Sequence, residues 1–191
     1  MKIGVIVASS NKDKNQLVFE AVRKVAEPKG HSVINFGVFD DGENFSYVEI
    51  SLVIGMLLNR GIVDFVVTGC SSGQGMMLAC NNLPGVICGY APTPEDAFLF
   101  ARINDGNAVS LPLGLNFGWC GELNLQNTIA ALFDGEFGSG YPEKDAERKR
   151  RDTALLKQIK VLSTVSFDEL LAKLDEKLVE KAENYLKKCE F

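Results

Sequence analysis

From Val63 to Asn82 the chain reads Val-Asp-Phe-Val-Val-Thr-Gly-Cys-Ser-Ser-Gly-Gln-Gly-Met-Met-Leu-Ala-Cys-Asn-Asn. Phe65, Val66 and Val67 form an apolar, β-branched and aromatic run that suits a buried central strand. The run stops at Thr68 and Gly69, and a helix-friendly segment begins at Met76, Met77, Leu78 and Ala79. The stretch therefore predicts a strand, a tight turn and a helix. The turn holds a thiol, two hydroxyls and the glycines Gly69, Gly73 and Gly75. Glycine lets successive N–H groups point inward, and the following helix adds its positive end, so such a loop can cradle an anion. Cys70 at its mouth is placed where a thiolate is stabilised. The same turn also serves as plain scaffolding in many proteins, so the glycines alone do not decide function. The spacing is neither a P-loop nor a G-x-G-x-x-G dinucleotide fingerprint.

Outward from this stretch, short apolar runs recur. Ile3 to Val7, His31 to Phe36, Val86 to Tyr90 and Asn107 to Leu111 read as four further strands. Between them lie helical patterns: Leu17, Val18, Ala21, Val22 and Val25 after the N-cap residues Ala8 to Asn11, and Ile50, Val53, Ile54, Leu57 and Leu58 from Tyr47 to Gly61. A third helix follows Pro92 and Pro94 and runs to about Arg102; a fourth carries Leu123, Ile129, Leu132 and Phe133. Gly37 to Ser46 reads as a loop. Strands alternating with helices predict an α/β fold, a Rossmann-like three-layer sandwich on a five-stranded parallel sheet. In such sheets ligands bind beyond the carboxyl ends of the strands, where the loops carrying Ser9, Cys70 and Pro92 emerge.

Composition shifts after Pro142: residues 143–191 carry 12 Lys/Arg against 11 Asp/Glu, whereas residues 1–142 carry 8 against 14. We divide the chain there into an α/β domain and a C-terminal helical extension. The extension is expected to hold one helix around Ala154 to Val161 and another from Asp168 to Lys187. In the second, Leu170, Leu171, Leu174, Leu178, Ala182, Tyr185 and Leu186 form a stripe for the core or a partner subunit. The run Arg148 to Arg151 is flanked by Glu147 and Asp152 and reads as a solvated helix face.

A chain of 191 residues can close one substantial core. No apolar run reaches the roughly 20 residues needed to span a bilayer, and the polar stretch Ser9 to Lys14 argues against a signal peptide. A net charge of −5 opposes nucleic acid as a principal partner. The five cysteines form no C-x-x-C pair and His31 is the sole histidine, which opposes a structural zinc site and favours reduced thiols in the cytoplasm.

The motif Cys70-Ser71-Ser72-Gly73-Gln74-Gly75, followed by Asn81, Pro84-Gly85 and Asn104-Asp105-Gly106-Asn107-Ala108, resembles the type B ribose-5-phosphate isomerases and the galactose-6-phosphate isomerase subunits over about the first 140 residues. The resemblance implies a cofactor-free, metal-free aldose–ketose isomerisation of a sugar phosphate through a cis-enediolate. It casts Cys70 as the base, Ser72 as the hydroxyl that moves the proton between oxygens, and Ser71, Gly73, Gln74 and Gly75 as the anion hole. Tyr47 resembles a tyrosine lining the substrate pocket, and Asn104 an asparagine that contacts substrate, often across a dimer interface. The family's ring-opening histidine is Ile103 here, Ser9 and Ser10 stand near its first-loop Asp-His pair, and Lys144 and Arg148 are the available substitutes for its phosphate-binding arginines. The resemblance also implies a homodimer or higher oligomer. Two other readings remain open: a non-catalytic sugar-phosphate-binding or regulatory protein, and a thiol enzyme such as an acyl transferase, for which the sequence offers no nearby base.

Overall fold

The computed structural model describes residues 1–37, 44–115 and 117–189. Five parallel strands form one sheet: β1 (Lys2–Val5), β2 (Ser32–Asn35), β3 (Phe65–Cys70), β4 (Cys88–Tyr90) and β5 (Ala108–Pro112), in the order β2-β1-β3-β5-β4. The register pairs Val5 with Val67 and Cys70 with Pro112. β3 is buried along its whole length, which is why its residues are apolar or small without alternation. Of the predicted loop Gly37 to Ser46, residues 38–43 lie outside the described residues.

Helices cover both faces. On one side pack α1 (Asn15–Ala26), α4 (Pro94–Leu99) and α5 (Gly121–Leu132), closing a cluster that includes Ile3, Val5, Val67, Val109 and Ile129. On the other lie α2 (Tyr47–Asn59) and α3 (Gln74–Asn81), over Ile6, Val66, Cys70 and Val86. α2 is started by a capping box: the Ser46 hydroxyl accepts from the Glu49 amide at 3.2 Å, and the Glu49 carboxylate accepts from the Ser46 amide at 2.7 Å. The three-layer α/β sandwich expected from the sequence is what forms.

The chain beyond residue 142 holds three helices rather than two: α6 (Ala146–Leu162), α7 (Phe167–Lys173) and α8 (Glu176–Lys188). The single long helix expected from Asp168 to Lys187 breaks because Leu174 turns extended and the Asp175 carboxylate caps the Leu178 amide at 3.2 Å. The apolar stripe packs on this chain's own core: Ala182, Tyr185 and Leu186 are buried, and Leu170, Leu171, Leu174 and Leu178 lie against the same cluster. The Tyr185 hydroxyl donates to the Phe36 and Gly37 carbonyls. Two ion pairs, Lys181 with Glu49 and Arg60 with Glu183, tie α8 to α2 and its end. The helix around Ala154 is longer than expected, and α4 continues through a π-turn over Phe100–Asn104.

Candidate active site

The order of strands reverses between β1 and β3, so the loops leaving their carboxyl ends diverge and open a crevice. β3 delivers Cys70 there, 7% exposed, with its strand neighbours all buried. The turn then closes tightly: the Gly73 amide donates to the Cys70 carbonyl at 3.2 Å, and Gly73 adopts a left-handed conformation with φ +76°. A Cβ on Gly73 would lie 2.7 Å from the Tyr90 ring and 2.9 Å from the Leu111 backbone, so both conformation and space require glycine. The Ser110 hydroxyl, buried, fixes the turn by donating to the Gly73 carbonyl at 2.6 Å.

α3 starts immediately afterwards. The Ser72 hydroxyl accepts from the Gln74 amide at 3.3 Å, which leaves its own proton free to be donated. The amides of Ser71, Ser72, Gly75 and Met76 have no acceptor among the described residues. These N–H groups and the positive end of α3 make the turn a place where negative charge is stabilised.

The rest of the crevice is assembled from distant segments. The Ser71 carbonyl accepts from Gly114 at 2.9 Å and from Leu115 at 2.7 Å, so the segment after β5 hangs on the thiol loop. On the other side, the Ser71 hydroxyl donates to Asn11 Oδ1 at 3.0 Å and the Ser10 hydroxyl reaches the same oxygen at 3.3 Å. Asn11 is buried and was not among the residues singled out from sequence. The Ser9 hydroxyl is occupied, accepting from the Phe45 amide at 2.8 Å. The Tyr47 ring flanks Gly75, about 3.4 Å from where a Cβ would stand.

Asn104, Lys144 and Arg148 do not join this group within one chain. Asn104 ends the π-turn just before the amino end of β5, whereas Cys70 is in register with Pro112 at its carboxyl end. Four residues of strand separate those ends, about 13 Å. Lys144 is exposed, and Arg148 pairs with Asp152 at 3.2 Å on α6. α6 itself is held to the Asn104 side by a Thr153 hydroxyl donating to the Ile103 carbonyl. His31 lies just before β2, an edge strand of the sheet, where Met1's amino group approaches its Nδ1 at 3.1 Å. No imidazole of this chain therefore stands near Cys70.

The other buried thiols play packing roles. A hydrogen bond with Cys80 and burial push the Cys88 thiol well above the ordinary range, and burial pushes Cys189 up to about 11. Among the described residues no group of three or more His, Cys, Asp or Glu could hold a metal ion, and no helix is long and apolar enough to cross a membrane.

Comparison with known proteins places this geometry. The family described as Ribose/Galactose Isomerase matches residues 5–148. The fold superposes on a crystal structure of a 4-deoxy-L-threo-5-hexosulose-uronate ketol-isomerase complexed with a tartrate, with 38% identity and a TM-score of 0.91 over 100% of this chain and 94% of that one. A ribose-5-phosphate isomerase of Vibrio parahaemolyticus is likewise 38% identical, with a TM-score of 0.90 over 99% of this chain and 93% of that one. A type B ribose 5-phosphate isomerase of Trypanosoma cruzi, at 19% identity and a TM-score of 0.70, covers 84% of this chain and 98% of its own and shares the fold. A search of curated protein sequences found no match. With the matched region spanning most of the α/β sandwich and the thiol loop, the chain belongs to the ribose/galactose isomerase family and is an isomerase.

Proposed function

We propose that the protein interconverts an aldose and a ketose through a cis-enediolate, with Cys70 as the base, and that its substrate is an open-chain sugar acid. The observation that carries the reading is Cys70 at the end of β3, followed at once by a turn whose Ser71, Ser72 and Gly75 amides have no acceptor among the described residues. The Cys70 thiolate takes the C2 proton of the aldose and returns it to C1, so one C–H bond breaks and another forms with no net oxidation. The loop amides hold the negative oxygen while it exists. Ser72, whose proton is free, carries a proton between the O1 and O2 positions.

The choice of substrate follows from Ile103. An alkyl group there cannot open a sugar ring, so the substrate should need no opening. The 5-keto, 4-deoxy uronate named for one 38%-identical relative has no hydroxyl on C4 or C5 with which its C1 aldehyde could close a five- or six-membered ring. A pentose or hexose phosphate is the second reading, favoured by the Vibrio relative's name. In that reading Lys144 and Arg148 grip the phosphate, and because they lie away from Cys70 they do so across a homodimer, together with Asn104. Either reaction suits a cytoplasmic enzyme of carbohydrate metabolism.

Proton NMR in deuterated buffer tests this directly, with the 5-keto uronate, ribose 5-phosphate and a panel of pentoses and hexoses. Deuterium is expected at C1 or C2 of the uronate with the native protein and not with Cys70→Ala. Exchange into ribose 5-phosphate alone would transfer the assignment to the sugar phosphate. Stabilisation of the fold by a sugar with no exchange into any would mark a non-catalytic binding protein.

A further inference from the structure

Trp119 is the chain's one tryptophan, and it is 99% exposed. Single apolar side chains on a surface are ordinary. An indole left wholly in water is not, because it is the largest apolar group a protein carries and is buried for the most part where it packs. Its place in the chain is equally specific. The Leu115 amide donates to the Ser71 carbonyl at 2.7 Å, so that leucine, itself 50% exposed, stands on the thiol loop. Trp119 follows so soon that even a fully extended chain would keep it within about 14 Å of Leu115. The chain is not extended: the Phe117 amide donates to the Gly114 carbonyl at 3.2 Å and the Gly121 amide to the Gly118 carbonyl at 2.9 Å, two turns in succession. The indole is thereby kept at the rim of the crevice.

The base of this loop is fixed while the indole is not. The Phe117 ring packs on the cluster that holds Val5 and Ile129, and Lys14 Nζ lies 5.3 Å from its centroid. Lys14 belongs to the segment after β1 that also supplies Asn11, the acceptor of the Ser71 hydroxyl. Segments leaving β1, β3 and β5 thus meet over the end of β3, and Trp119 stands just past their junction. Around Gly118 there is open space, since a Cβ built there would meet nothing within 4 Å. Trp119 therefore has a rigid base and room to swing. Tyr47 opens α2 on one face of the sheet and Trp119 precedes α5 on the other, so the two rings approach the crevice from opposite sides.

We propose that Trp119 is a substrate-binding residue whose indole stacks on the carbon chain of the sugar acid bound at Cys70. The assignment rests on the isomerase reading of that crevice. Hydroxyls and a carboxylate need polar partners, which the 71–75 turn, Asn11 and the serines supply. The C–H groups between them need an apolar surface, and a flat aromatic ring offers one. The 5-keto, 4-deoxy uronate named for one relative carries a methylene at C4, so it presents a longer apolar stretch than a fully hydroxylated sugar does. An indole that is covered only when such a ligand arrives accounts for its complete exposure here. The contact is made to carbons that do not react, so it serves the bound substrate and the transition state alike.

Fluorescence of the chain's only indole reads the contact directly. In Cys70→Ala, used so that the ligand is not turned over, the 5-keto uronate should shift the emission to the blue and reduce acrylamide quenching at least about 3-fold, in step with binding followed by calorimetry. With Cys70 in place, Trp119→Ala should raise KM about tenfold and leave kcat nearly unchanged, and Trp119→Phe should recover most of the loss. Uronate that binds by calorimetry while the indole stays fully quenchable, or a Trp119→Ala variant with native KM, would overturn the proposal. So would an indole already shielded in the sugar-free protein, because a second copy of the chain would then be its cover. Trp119→Ala should keep the native circular dichroism, since the side chain faces solvent; should it misfold, the fluorescence of the Cys70→Ala protein decides alone. Failure of the sugar-acid reading shows differently: shielding by ribose 5-phosphate and not by the uronate keeps Trp119 in its role and changes the substrate, whereas calorimetric binding of neither overturns both.

Discussion

Asn11 and Ser71, 60 residues apart in sequence, are joined by a hydrogen bond of 3.0 Å from the Ser71 hydroxyl to the Asn11 amide oxygen. This bond couples the loop after β1 to the thiol loop after β3 across the point where the sheet order reverses. Asn11→Asp keeps an acceptor at the same place but adds a negative charge beside the loop proposed to hold an enediolate. A like charge a few ångströms away at an effective dielectric constant near 20 is worth a few kcal/mol. Asn11→Asp should therefore reduce kcat/KM on the order of 100-fold, more than Asn11→Ala, while disturbing stability less. Steady-state kinetics paired with urea unfolding gives the comparison, and equal kinetic losses would mean that only the bond matters.

Gly73→Ala should be costly twice over. The left-handed backbone and the 2.7 Å and 2.9 Å approaches to Tyr90 and Leu111 predict a loss of at least about 2 kcal/mol in stability. Relief by shifting the turn would move the amides proposed to face the substrate, so kcat should fall as well. A variant with native activity and an unchanged urea midpoint would show that the turn tolerates a side chain.

Tyr185→Phe removes a buried hydroxyl that serves two carbonyls at the end of β2. Leaving the Phe36 and Gly37 carbonyls without that donor should cost about 1–3 kcal/mol, or roughly 2–10 °C in Tm for a chain of this size. Activity per folded molecule should be unchanged, because the ring lies beyond the crevice. Calorimetry and kinetics on the same preparation separate the two effects.

The ion pairs of α8 set a dependence on acid. Burial alone would raise the Glu49 carboxyl, but the Lys181 and Ser46 hydrogen bonds outweigh it and hold the group below the usual range. The Arg60 hydrogen bond holds Glu183 low as well. A carboxyl whose folded pKa is depressed contributes stability that is present above its unfolded value, near 4.3, and is lost as pH falls through the folded value. Tm should hence fall below about pH 4, and Lys181→Met should flatten that fall while lowering Tm at pH 7. A parallel pair of curves would show that Lys181 plays no part in the acid response.

Much of the fold is legible because β-strands covered on both faces must be apolar throughout, and the runs at Ile3, Phe65 and Val109 state that directly. The thiol loop is legible for a similar reason, since its glycines and hydroxyls are contiguous. What escapes is whatever depends on two segments meeting. Asn11 reads as one of several N-cap residues until Ser71 arrives from 60 positions away. The break at Asp175 loses to a continuous apolar stripe, because the stripe survives a change of helix direction. Asn104 and Cys70 are read together in one resemblance yet stand at opposite ends of a strand, a separation that only the parallel register reveals.

The burial of Tyr185 against Phe45 and under the end of β2 also bears on how the chain comes off the ribosome. Synthesis is vectorial, and the sheet with its first helices emerges while residues 182–189, which complete the cluster over Ile6, Phe36 and Ile50, are still unmade. For that interval the nascent chain shows an open apolar flank to its surroundings, the condition under which chaperones engage. Closure of this cluster waits for α8 to clear the exit tunnel, so the flank is sealed after the sandwich has been translated rather than with it.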